Sequence, residues 1–69
     1  MDIRYSDHAK KRMKQRGITE LEIEHVLAHP SYVMKSFEGR KVAEGTLNNR
    51  RIKVSFIDGE TFIKIITIM

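Results

Sequence analysis

The sequence has no cysteine, no tryptophan and a single proline. Without cysteine the chain can form no disulfide, no thiolate nucleophile and no cysteine-ligated zinc site, which favours a reducing cytoplasm. The longest apolar run lies near residues 65–69 and is far too short to span a bilayer, and the first residues lack the apolar stretch of a signal peptide. We therefore expect a cytoplasmic protein that makes no contact with a membrane.

Glycine and proline are also scarce, with four and one residues, and no low-complexity run is present. These features give no sign of a linker, so we expect residues 1–69 to form a single domain. A domain of this size buries only roughly 60% of its unfolded surface. Its core is thin, and we expect no cofactor and no metal ion.

The charge is positive overall, at +4, and it is unevenly distributed. Five of the seven residues from Lys10 to Arg16 are basic, whereas residues 17–30 contain three glutamates and neither lysine nor arginine. A concentrated cationic surface favours phosphate-bearing partners, because neutralising phosphates releases counterions. The competing interpretation is a solvated surface whose lysines serve solubility.

Capping signals predict two helices near the N-terminus. Ser6 is a typical N-cap and Gly17 a typical stop signal, which together predict a helix over residues 7–16. Thr19–Glu22 has the spacing of a capping box and begins a second helix, which ends before Pro30. Helical periodicity places Ala9, Met13, Ile23, Val26 and Leu27 on the buried sides.

After the second helix the hydrophobic period changes to two. Strands are predicted over residues 32–37, 41–47, 51–57 and 61–68. The short separators Glu38-Gly39, Asn48-Asn49 and Asp58-Gly59 predict hairpins and hence a meander. Ile3 and Tyr5 alternate with polar residues in a further short strand. The fold class is therefore α+β, ordered β-α-α-β-β-β-β, with two helices packed on one face of an antiparallel sheet.

His8, Arg12 and Arg16 recur every four residues, and this spacing places them in a row along the first helix. An imidazole can accept a proton near neutral pH, and arginines bind phosphate through paired donors. These groups suffice for cleavage of RNA without a metal. The alternative is structural: His8 is partly buried, and the two arginines pair with Glu22 or Glu24.

Residues 5–19, YSDHAKKRMKQRGIT, resemble the opening signature SxHAxxRMxxRGI of a small domain-of-unknown-function family that is compared with RelE/ParE/BrnT-like toxins. The resemblance implies a RelE-like α+β fold and a toxin-type ribonuclease whose cognate antitoxin covers the site. Carried over by position, it assigns catalysis to His8, Arg12 and Arg16. It also assigns substrate binding to Arg40 and to the polar Thr67 of the last strand.

Arg51 and Lys53 share one face of their predicted strand, next to Arg50 at a loop tip, and extend a phosphate-binding track. Glu22, His25 and His29 lie along one side of the second helix and offer a metal site as a minority alternative. Three aromatic residues are expected in the core: Tyr32, Phe37 and Phe62.

The last strand is apolar on both sides, so it is either central or an edge that pairs with a homodimer partner or an antitoxin. The leading hypothesis from the sequence is a metal-independent, toxin-type ribonuclease that binds RNA. The rival is a non-catalytic module of the same fold that binds nucleic acid or protein.

Overall fold

The computed structural model describes residues 2–69. Its elements follow the predicted order: β1 (Asp2–Tyr5), α1 (Asp7–Arg16), α2 (Glu20–Ala28), β2 (Tyr32–Lys35), β3 (Arg40–Leu47), β4 (Arg50–Asp58) and β5 (Phe62–Ile68). A short 3-10 turn over Phe37–Gly39 connects β2 to β3. The α+β layout expected from the sequence is confirmed.

The five strands form one sheet in the order β1-β5-β4-β3-β2. The last four strands form the predicted antiparallel meander, but β1 pairs parallel to β5, with Ile3 opposite Ile63. The sheet is therefore mixed rather than purely antiparallel. β5 lies between β1 and β4, which corrects the alternative in which it is a free edge.

Both helices cover the same face of the sheet, where α1 packs on β5 and α2 on β3 and β4. The largest fully buried side chains form the centre of the core: Ile23, Val26, Ile52, Val54, Ile65 and Ile68. Ala9 and Met13 of α1 join this cluster. Each such aliphatic side chain contributes roughly 1.5–3 kcal/mol through burial. The opposite side of the sheet has no helix on it and is called the open face below.

The three aromatic residues expected in the core lie elsewhere. Phe37 is 88% exposed and Tyr32 is 43% exposed. Phe62 is half-buried on the open face, where the Arg4 guanidinium lies 4.4 Å from the centre of its ring. The prediction was wrong because hydrophobicity favours burial only where another element supplies a cover, and β2 has a neighbour on one side only.

Candidate functional site on the first helix

Ser6 fixes the start of α1 against the sheet. Its hydroxyl oxygen accepts a hydrogen bond from the Ala9 N–H (3.0 Å) and its O–H donates to the Ile66 carbonyl (2.6 Å). The Ser6 N–H also donates to the Ile65 carbonyl, at 2.9 Å. These bonds tie the first turn of α1 to β5, and the first turn carries His8. The N-cap therefore determines where the imidazole lies as well as where the helix begins.

Four side chains of α1 line a shallow, open depression of about 270 Å³: His8, Lys11, Arg12 and Gln15. Their spacing of three, four and seven residues places them on one helix face, turned away from the buried Ala9 and Met13. We call this the α1 depression. It brings together a proton acceptor, two cations and an amide that can both donate and accept hydrogen bonds.

The cations of the α1 depression are not neutralised by carboxylates. His8 is exposed, Arg12 is half-buried, and neither forms an ion pair with any residue in the range 2–69. The alternative in which Arg12 and Arg16 pair with Glu22 or Glu24 is wrong, because Glu22 binds Arg50 instead, at 3.0 Å, and Glu24 forms no salt bridge within residues 2–69. The imidazole and the guanidinium are thus accessible to an anion from solvent.

Arg16 lies one turn further along and is exposed, but it does not line the depression. Its backbone carbonyl accepts a hydrogen bond from Arg50 Nη1 at 2.8 Å, and Arg50 also donates to the Gly17 carbonyl. Arg50 therefore joins the end of α1 to the beginning of α2. Of the two arginines predicted at the loop tip, Arg50 is thus bound within the protein, whereas Arg51 is exposed and forms no salt bridge within residues 2–69.

Glu22 closes the predicted capping box. Its carboxylate accepts from the Thr19 N–H at 2.9 Å, while the Glu22 N–H donates to the Thr19 hydroxyl. The hydrogen bond from the Thr19 backbone, followed by the one from Arg50, lowers the pKa of Glu22 below its ordinary value. The carboxylate is therefore ionised at neutral pH and committed to the junction between the helices.

The four substrate-binding residues predicted from the sequence all lie on the open face: Arg40, Arg51, Lys53 and Thr67. Alternation along the strands puts them there, because their neighbours Ile52, Val54 and Ile68 point into the core. Arg40 and Arg51 are exposed, whereas Lys53 lies 3.7 Å from the Glu44 carboxylate. Arg4 and the exposed Lys64 add two more cations from β1 and β5.

The structure thus separates the seven predicted site residues into two groups. His8, Arg12 and Arg16 lie on the helix side of the sheet, and the other four lie on the opposite side. The α1 group also includes Lys11 and Gln15, which the sequence analysis missed. The i+3 and i+7 positions relative to His8 were the signal that could have identified them.

No group of three His, Cys, Asp or Glu side chains within residues 2–69 is placed to hold a metal ion. The rings of His25 and His29 lie 5.2 Å apart, but Glu22, the third member of the proposed set, is bound to Arg50. The alternative of a metal site on α2 is therefore not supported by the geometry.

Residues 5–69 match the family described as Domain of unknown function (DUF4258), which spans nearly the whole chain. The protein belongs to this family. Searches of curated proteins and of solved structures found no match. In the part of the chain that the structure describes, neither helix is long and apolar enough to cross a membrane.

Proposed function

We propose that this protein is a metal-independent ribonuclease of the toxin type, with its active centre in the α1 depression. The observation that carries the proposal is the exposed His8 beside Arg12 and Lys11, with no carboxylate bound to any of them within residues 2–69. The likeness of residues 5–19 to the signature of a family compared with RelE/ParE/BrnT-like toxins supports the same assignment.

The chemistry needs one proton acceptor and fixed positive charge. His8 takes the proton of an RNA 2'-hydroxyl, whose oxygen then attacks the adjacent phosphorus. The bond from phosphorus to the 5'-oxygen breaks, and the departing oxygen takes a proton from solvent water, which leaves a 2',3'-cyclic phosphate and a 5'-hydroxyl. Arg12 and Lys11 stabilise the negative charge that develops on the phosphoryl oxygens. Arg16, one turn further on, holds a neighbouring phosphate of the same strand.

The proposal is tested with purified protein and single-stranded RNA in the presence of EDTA. We expect cleavage that leaves cyclic phosphate ends. His8→Ala should lower the cleavage rate by a factor of about 10² to 10⁴, the usual contribution of general acid–base catalysis, while RNA binding is retained. Lys14→Ala is the matched control, because Lys14 lies on α1 outside the depression and should leave the rate unchanged.

Expression in cells gives a second readout. Induction of the wild-type chain should arrest growth, and induction of His8→Ala should not. Wild-type protein that leaves all RNA intact, with or without divalent metal, would refute the proposed ribonuclease activity.

The open face favours a second candidate function, a non-catalytic module that binds nucleic acid. Arg40, Arg51 and Lys64 are exposed there and form no ion pair with another residue in the range 2–69. The Arg4–Phe62 stack supplies an aromatic surface beside them. Phosphate contacts from such a face give binding that falls steeply with salt. Under this candidate RNA is bound but not cut, and His8→Ala changes nothing.

A further inference from the structure

A second depression lies at the connection between β2 and β3. Its volume is about 290 Å³, and five residues line it, none of them acidic: Lys35, Ser36, Gly39, Arg40 and Lys41. We call it the hairpin cavity. Three of its residues are cationic, and the Ser36 hydroxyl can donate a further hydrogen bond. Because two strands separate β2 from β5, on which α1 packs, the hairpin cavity is distinct from the α1 depression.

Two of the cations in the hairpin cavity oppose each other across the sheet. Lys35 and Lys41 are cross-strand partners. The next pair, Ser36 and Arg40, is hydrogen-bonded, with 2.8 Å from the Ser36 N–H to the Arg40 carbonyl. The lysines therefore occupy a non-hydrogen-bonded position, where opposite side chains come closest. Like charges in this arrangement destabilise a sheet, and an anion bound between them would remove the repulsion.

Contacts within the protein neutralise only part of this charge. Lys35 and Arg40 form no salt bridge with any residue in the range 2–69, and Lys41 lies 3.4 Å from the Asp58 carboxylate in an exposed pair, which contributes little. A lysine on an edge strand discourages pairing with another chain, which accounts for Lys35. It does not account for Lys41, because β3 lies between β2 and β4. A bound anion explains both lysines.

The turn between the two strands leaves backbone open to the hairpin cavity. Glu38 and Gly39 both have positive φ, at 59° and 75°. Gly39 lines the cavity without a side chain, and a Cβ atom built there meets no atom within 4 Å. A left-handed conformation is costly at a residue other than glycine, and such residues cluster at ligand sites. The conformation of Glu38 therefore agrees with a binding role for this turn.

We propose that the hairpin cavity binds the terminal phosphate of a nucleotide, either free or at the 5' end of an RNA strand. A terminal phosphate carries roughly 1.5 to 2 negative charges at neutral pH, more than the single charge of an internal phosphodiester, and so suits a site with three cations. This site does not depend on the proposed ribonuclease activity.

The base of the nucleotide lies outside the hairpin cavity. The cavity is slightly smaller than the range of about 300–1,000 Å³ that encloses a drug-sized ligand. Phe37 lies in the chain between the lining residues Ser36 and Gly39, and its side chain is 88% exposed. Nucleobases stack on exposed aromatic rings of this kind. Phe37 therefore supplies the surface that distinguishes a nucleotide from inorganic phosphate.

NMR titration at constant ionic strength tests the site. Adenosine 5'-monophosphate should shift the amide signals of residues 35–41, whereas adenosine should not. Inorganic phosphate should shift the same signals with weaker affinity, because it lacks a base. A short 2'-O-methyl RNA, which the proposed ribonuclease cannot cleave, should bind there with a 5'-phosphate and not with a 5'-hydroxyl. Tighter binding of this RNA than of the mononucleotide would identify an RNA end as the ligand, and the reverse would identify a free nucleotide.

Variants assign the contacts. Lys35→Gln should weaken binding of adenosine 5'-monophosphate about tenfold, because it removes a charged hydrogen-bond donor. Phe37→Ala should reduce the affinity for this nucleotide to that for inorganic phosphate. Lys10→Gln is the matched control, because Lys10 is an exposed cation on α1 and its loss changes the net charge equally. This control should bind the nucleotide as the wild type does.

Thermal melts give an independent readout. Without a ligand, Lys35→Gln should melt at a higher temperature than the wild type, because the repulsion from Lys41 is lost. Adenosine 5'-monophosphate should raise the midpoint of the wild type more than that of the variant. The proposal is overturned by absent shifts at residues 35–41 in millimolar nucleotide, by equal affinities for the nucleotide and inorganic phosphate, or by unchanged nucleotide binding in Lys35→Gln. None of these results alters RNA cleavage at the α1 depression, which is measured separately.

Discussion

Arg50 and Arg51 are adjacent in sequence and have unrelated roles. Arg50 points to the helix side and donates to the Arg16 and Gly17 carbonyls and to the Glu22 carboxylate. Arg51 points to the open face and is exposed. The alternation of side chains along a strand assigns the two guanidinium groups to different faces. A pair of basic residues in a strand is therefore not a pair in space.

The lowered pKa of Glu22 makes stability depend on pH in a defined direction. Because the pKa is lower in the folded state, the ionised carboxylate contributes stability above its ordinary value of 4.5. That contribution is lost as the pH falls through the lowered value. Glu22→Gln should therefore lower the thermal midpoint at neutral pH, with a difference that narrows below about pH 4 and closes in stronger acid.

Thermal melts followed by circular dichroism across this pH range provide the measurement. Glu24→Gln is the control, because Glu24 lies on the same helix, is exposed and makes no salt bridge with any residue in the range 2–69. A difference between Glu22→Gln and wild type that is constant with pH would show that the charge of Glu22 is not the cause.

At the scale of elements, α1 depends on the backbone conformation of Gly17. This residue has φ of 64° in the left-handed region, and its N–H donates to the Met13 carbonyl. A Cβ atom built at Gly17 meets no atom within 4 Å, so space is not the constraint. Gly17→Ala should lower the free energy of unfolding by about 1 kcal/mol through backbone strain alone.

Gly17→Asn separates strain from other causes. Asparagine tolerates the left-handed region better than alanine, so it should recover part of the lost stability in urea denaturation. Equal losses for the two variants would argue that something other than φ is responsible.

Local signals predicted the helices well because their ends are determined by local chemistry. Ser6 and the Thr19–Glu22 box form the hydrogen bonds that their spacing indicated. Asn48 and Asn49 likewise adopt positive φ, at 53° and 62°, in a tight hairpin. In each case the interacting residues lie within three positions of one another, so the local sequence is enough to predict the contact.

The predicted hairpin at Asp58-Gly59 forms, but the sequence does not reveal the role of its glycine. β4 and β5 are joined by a three-residue loop over 59–61, in which the Gly59 N–H donates to the Phe62 carbonyl at 2.8 Å. Gly59 is not among the residues with positive φ. A Cβ atom there would lie 3.1 Å from the Phe62 ring, so glycine is needed for close approach rather than for its backbone conformation. The sequence shows the glycine but not the reason for it.

At the scale of the whole molecule, the features that the sequence did not predict are contacts between residues that are distant in sequence. The strand that pairs with β1 is β5, 60 residues away in sequence. The residue types at Ile3 and Tyr5 do not indicate that Ile63 lies opposite Ile3. Whether the row beginning at His8 shares a face with Arg51 depends on the side of the sheet to which α1 crosses. The row that contains His8 and Arg12 was therefore predictable from spacing, whereas the division of the candidate residues between two surfaces was not.

The division into two surfaces gives a direct comparison between two charge reversals. Arg12→Glu and Arg51→Glu change the net charge equally but act on opposite sides of the sheet. If RNA binds at α1, Arg12→Glu should weaken binding about tenfold in low salt and reduce the salt dependence by about one to two phosphate contacts. Arg51→Glu should then have a small effect, measured by fluorescence anisotropy with labelled RNA.

If Arg51→Glu weakens RNA binding more than Arg12→Glu does, the binding site lies on the open face. That result would favour the non-catalytic module over the ribonuclease. Equal, small effects would indicate that neither surface dominates RNA binding.

The parallel pairing of β1 with β5 has a consequence for the timing of folding during translation. Ser6 is translated 60 residues before Ile66, whose carbonyl accepts its hydroxyl proton, and Ala9 likewise precedes Ile65 and Ile68 of the same core cluster. Until β5 leaves the ribosome, α1 has no surface to pack on. The α1 depression is therefore positioned only once β5 has joined the sheet.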